Sequence, residues 1–104
     1  MELDAVCDEL VRAINLVAFD VCDPRTRTYN READPLKVNV SWALVAPIPQ
    51  SLHTPLRKLV RQHVAARGMS VGKIELERRV TITLYLRALR GPAYRPGDSP
   101  NSDL

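Results

Sequence analysis

Between Lys73 and Arg87 apolar and polar residues alternate almost without error. Ile74, Leu76, Val80, Ile82, Leu84 and Leu86 fall on one side, and Lys73, Glu75, Glu77, Arg79, Thr81, Thr83, Tyr85 and Arg87 on the other. A period of two marks a strand with one buried and one wet face. Lys37 to Ala46 repeats the pattern. Val38, Val40, Trp42, Leu44 and Ala46 oppose Lys37, Asn39, Ser41, Ala43 and Val45, and Pro47 and Pro49 stop the run. Trp42, the single tryptophan, is expected to anchor the core. One solvated face is typical of small antiparallel or mixed sheets rather than doubly wound ones.

Two stretches change period. Leu3, Cys7, Leu10, Ile14 and Val17 step by three and four, which predicts a helix over Leu3–Asn15 with acids in its first turns. Leu56, Leu59, Val60, His63 and Val64 do the same. Thr54 as cap, Pro55 at the first position and Gly68 as stop predict a helix over Pro55–Arg67. Val17, Phe19 and Val21 alternate, and a short strand is expected there before Asp23-Pro24 breaks it. Residues 23–35 are polar and bracketed by prolines, and read as a mobile loop.

The last strand is too long for the body. Lys73 to Ala88 fully extended would span about 50 Å at about 3.3 Å per residue, against a radius of gyration of about 13 Å for a 100-residue domain. Arg78 is the one charge on the apolar side, and the strand is expected to coil or bend there. A hairpin through Glu77-Arg78-Arg79 also keeps the faces in phase, with Ile74 opposite Ile82, though it lacks the Gly or Asn such loops favour. A third geometry leaves the overhang to pair with another copy of the chain. Residues 91–104, with three prolines and two glycines, are expected to be disordered. The sum is one α+β domain over residues 1–90. It has a small open mixed or antiparallel sheet of about three strands, covered on one face by two helices.

Composition alters this picture only through charge. At 104 residues there is room for one core. Residues 1–35 carry eight acids and four bases, while residues 36–90 carry ten bases and two acids. That split favours an anionic partner for the basic part, or association of the acidic part of one copy with the basic part of another. Cys7 and Cys22 make no CxxC, and with His53 and His63 show no zinc spacing. The start of the chain has no signal-peptide pattern, which leads to an expectation of an intracellular protein. No run is apolar enough to span a membrane.

Chemistry is sparse. Neither G-x-S-x-G, S-x-x-K, a P-loop nor a G-x-G-x-x-G occurs. The acids Asp20, Asp23, Glu32 and Asp34 cluster where a loop places acids anyway. No enzyme, metal or cofactor is therefore expected. The expectation is a non-enzymatic interaction or assembly protein that self-associates through the 73–88 strand, with Arg78, Val80, Ile82 and Leu84 as assembly residues. An accessory role of viral, phage or regulatory type fits so small a chain. The alternative is nucleic-acid binding through Arg57, Lys58, Arg61, Lys73, Arg79, Tyr85 and Arg87, where arginines meet phosphates and one aromatic stacks a base.

Overall fold

The computed structural model describes residues 3–31, 33–34 and 36–86. The expected 91–104 tail and Arg87 lie outside them. Helix α1 (Leu3–Ala18) leads to strands β1 (Thr28–Arg31) and β2 (Lys37–Ala43), then helix α2 (His53–Ala66), β3 (Ser70–Glu75) and β4 (Arg79–Tyr85). The strands form one antiparallel sheet in the order β1-β2-β4-β3. The fold is α+β, with four strands rather than three.

The 73–88 alternation turns out to be two strands. β3 and β4 form a hairpin joined by Leu76, Glu77 and Arg78, with Ile74 opposite Ile82 and Glu75 opposite Thr81. The expected bend at Arg78 is thus a full reversal, and the length problem disappears. Leu76 is buried, and no residue of the loop takes positive φ, so this turn does not need the glycine that tighter hairpins favour. A bulge between Val71 and Ile74 absorbs one extra residue, so the apolar side stays inward on both arms. The connection through α2 lands β3 parallel to β2 but one place away, and β4 returns into the gap.

The region read as a mobile loop holds structure. Asp23 caps a 3-10 turn at Pro24–Thr26, and β1 follows as an edge strand paired with β2 from Thr28↔Ser41 to Arg31↔Val38. All four β1 residues are exposed, so no alternation announces them. Polar contacts fasten β1 to α1 instead: Tyr29 Oη donates to Asp4, and Arg27 pairs with Asp8 at 2.6 Å. The strand expected around Val17–Val21 is replaced by three more residues of α1, and only Cys22 pairs, with Leu44. Thr54 is not the cap of α2. A 3-10 turn at Gln50–Leu52 runs straight into it, so the helix starts at His53, whose buried ring meets the Ile48 carbonyl.

Both helices cover one sheet face. Val6, Leu10 and Ile14 of α1, Leu56, Val60 and Val64 of α2, and Val38, Val40, Trp42, Val80, Ile82 and Leu84 of the sheet share one core. Trp42 is the expected anchor at 0% exposure. Its indole N–H finds no acceptor among the described residues, a cost of about 1–3 kcal/mol that its apolar burial must offset.

Candidate functional site

Two parts of the surface stand out, one apolar and one basic. The apolar part lies where α1 ends. Asp20 N–H donates to the Asn15 carbonyl at 3.0 Å across Phe19, which has φ +59°, followed by Asp20 at +60°. This is a Schellman C-cap with phenylalanine where glycine normally sits. α2 ends the same way and does use glycine: Met69 N–H donates to the Val64 carbonyl across Gly68 at φ +74°. Left-handed backbone costs an L-residue about 1–2 kcal/mol. At Phe19 that cost accompanies an outward-facing ring, 86% exposed.

The surroundings hold Phe19 in place. The Asn15 amide donates to the Cys22 carbonyl and its oxygen accepts from the Cys22 N–H, both at 2.9 Å, which closes the loop between them. Val45 N–H donates to the Val21 carbonyl, and Asp23 N–H to the Ala43 carbonyl, tying the same loop to the end of β2. Leu16, 78% exposed, stands one turn before Phe19, and Val45, 67% exposed, sits on the segment tied to Val21. Ala46 and Pro47 beside it are exposed too. Leu16, Asp20 and Arg12 border one shallow concavity here, and Val45, Ala46, Pro47, Glu77 and Arg78 border another. Charged side chains border both concavities: Arg12 and Asp20 the first, Glu77 and Arg78 the second. None of the four has a side-chain partner among the described residues. Arg78 is the one assembly candidate that borders either concavity.

Val80, Ile82 and Leu84 do not. They are fully buried, and β4 is hydrogen-bonded on both sides, to β2 and to β3. A strand in the middle of a sheet has no free edge to offer a partner, so within the 73–88 stretch the β4 part cannot pair with another copy, and only residues 73–75, in β3, lie on a sheet edge. The sheet's edges are β1 and the bulged β3.

The basic candidates divide between two sides of the molecule. Lys73, Arg79 and Tyr85 lie on the sheet face away from the helices. There Lys37, Asn39, Lys73, Glu75, Thr81, Thr83 and Tyr85 border one concavity. The hydroxyls on this face satisfy one another: Ser41 meets Thr81 at 2.8 Å, and Thr83 donates to Asn39 at 2.6 Å. Tyr85 lies down over Gly72, where an added Cβ would come within 3.0 Å of its ring. Arg57, Lys58 and Arg61 instead share the outer face of α2 with Thr54, Gln62 and Ala65. The structure brings those three together and separates them from the sheet set. On the α1 side, Arg12 apart, the cations named here are paired. Arg27 meets Asp8, Arg25 meets Asp23, and Glu9 accepts from both His63 and Arg67.

The two thiols are muffled by burial. Burial pushes the Cys7 thiol up and the Cys22 thiol up to about 12, so neither is a thiolate at neutral pH. Among the described residues no group of three or more His, Cys, Asp or Glu is placed to hold a metal ion, and no helix is long and apolar enough to cross a membrane.

Sequence reasoning passed over Leu16, Phe19 and Val45. One signal was present: Leu16 falls off the Leu3–Val17 stripe, on a helix face the core does not use, whereas Phe19 lies past the helix end, where helical spacing carries no information. No model of a known protein family matches the chain, and no curated protein matches it either.

Proposed function

We propose that this chain is a non-enzymatic assembly protein that associates with a second copy of itself through the pole built on Leu16, Phe19 and Val45. One observation carries the reading: a phenylalanine that is 86% exposed and held in left-handed backbone by a closed set of hydrogen bonds. In an isolated chain neither the strain nor the exposure is repaid. Burying such a ring is worth about 1.5–3 kcal/mol, and strained, over-determined positions cluster at functional sites.

The rim favours a second copy as the occupant. It holds two cations and two anions, so it has no bias toward an acidic or a basic partner. A two-fold contact sets the same patch against itself and brings the cations of one copy to the anions of the other. The patch is small, and association in the range of about 10–100 μM is expected.

Phe19→Gly tests this without threatening the fold, because glycine suits the left-handed position. Sedimentation velocity from about 1 to 200 μM should show wild-type mass rising toward a dimer. The variant should stay monomeric with a melting temperature equal to or above wild type. A wild-type chain that is monomeric throughout, or a variant that dimerises equally well, would overturn the proposal.

A further inference from the structure

The outer face of α2 is the one place in the described structure where several cations gather without an acid. Arg57, Lys58 and Arg61 are spaced i, i+1 and i+4, so Arg57–Arg61 and Lys58–Arg61 are neighbours on the helix surface. Like charges so placed repel. The usual remedy is an acid one turn away, yet α2 contains no Asp or Glu at all. Glu9, the acid between the two helices, is already occupied by His63 and Arg67. Arg57 and Lys58 have no side-chain partner among the described residues. Arg61 makes only a long contact to the Val71 carbonyl, 3.5 Å, which leaves most of its guanidinium donors unused.

We infer that this face binds the phosphates of duplex nucleic acid, independently of sequence. The charge densities correspond. From Arg57 to Arg61 is about 6 Å along the helix axis at about 1.5 Å per residue. A duplex presents one phosphate charge per about 1.7 Å of its axis, so that length holds about three to four. A membrane surface fits less well. An interfacial helix needs apolar side chains to insert beside its cations, and the exposed large apolar residues, Leu16, Phe19, Tyr29, Leu36 and Val45, all lie off α2. A single strand fits less well too, because sequence-tolerant single-strand sites stack bases on aromatics and α2 has none. The sheet-face set is a weaker candidate, since its hydroxyls are bonded to one another, Tyr85 lies flat and Glu75 sits among the cations.

The site does not depend on the apolar pole, and its test is separate. Anisotropy of a labelled 20-base-pair duplex, a single strand of the same length and a vesicle-competition arm with anionic phosphatidylserine would be read at about 50 and 200 mM salt. Three phosphates neutralised give a log–log salt slope of about −2.7, so affinity should fall about 40-fold between the two salts. Arg57→Gln with Arg61→Gln should weaken duplex binding at least about tenfold and flatten the slope by about two. Lys73→Gln with Arg79→Gln should leave it unchanged. All four side chains sit on the surface, and circular dichroism confirms that the variants fold. The inference is overturned by absence of duplex binding at 50 mM salt, by tighter binding to the single strand or the vesicles, or by a loss that follows Lys73 and Arg79 instead.

Discussion

Phe19 and Gly68 occupy the same position in two copies of one hydrogen-bonding motif, and the contrast isolates what a single side chain contributes. An added Cβ at Gly68 would meet nothing within 4 Å. Gly68→Ala therefore tests backbone strain without steric conflict. It should destabilise by about 1 kcal/mol, a fall in melting temperature of about 4–8 °C for a domain of this size. No change would mean that the left-handed cap costs little here, and the argument from Phe19 would lose its energetic half. The two positions also differ in how well they could be read. Glycine after a helical stripe is a stop signal in its own right. Phenylalanine carries no such signal, and its alternation with Val17 and Val21 pointed to a strand. The backbone angle that matters at Phe19 is imposed by Asn15 reaching across to Cys22, a contact no periodicity encodes. Trp42 was legible for the opposite reason: a large apolar residue on the inward side of an alternating run has one place to go.

Among the elements, those held by apolar burial were visible and those held by polar contacts were not. α1, α2, β2 and the two arms of the β3–β4 hairpin each bury a stripe or a face. β1 buries nothing, and stays in place through its ladder to β2 and the Asp4, Asp8, Arg27 and Tyr29 contacts. The pairing of α1 with α2 is likewise partly polar, with Glu9 of α1 accepting from His63 of α2 and from Arg67 just past its end. The hydrogen bond from His63, helped by Arg67, holds the Glu9 carboxyl below its ordinary value. A depressed carboxyl stabilises the fold above its unfolded pKa and ceases to do so as pH falls through the folded one. Glu9→Gln should therefore cost about 0.5–1 kcal/mol near neutral pH. That difference from wild type should shrink as pH falls through the ordinary carboxylate range and disappear once pH lies below the depressed folded value. Urea melts at pH 7, 5 and 3 would show it, and a difference that stays constant with pH would assign the cost to packing rather than charge.

For the molecule as a whole, two layers decide which residues can act together. A linear list of bases between Arg57 and Arg87 leaves open whether they form one surface or two. The sheet divides it, with α2 on one side and Lys73, Arg79 and Tyr85 on the other. In the same way the most regular strand in the sequence looked like the natural site of assembly, because a regular strand and a free edge cannot be told apart from pattern alone. β4 is regular because it is central, with β2 on one flank and β3 on the other. That position has a consequence for how the chain is made. β4 is synthesised after the other three strands, yet it is the strand that joins them, pairing with β2 across 36 residues at Ala43↔Arg79 and 48 at Lys37↔Tyr85. Until it leaves the ribosome, β2 and β3 each hold out an unpaired inner edge, and Val38, Val40 and Trp42 lack their neighbours Leu84, Ile82 and Val80. A nascent chain stalled before Arg79 leaves the exit tunnel should be cut readily by protease and captured by chaperones. One stalled well past Leu86 should resist both, so the protein's most vulnerable interval in translation is set by the order in which a single strand arrives.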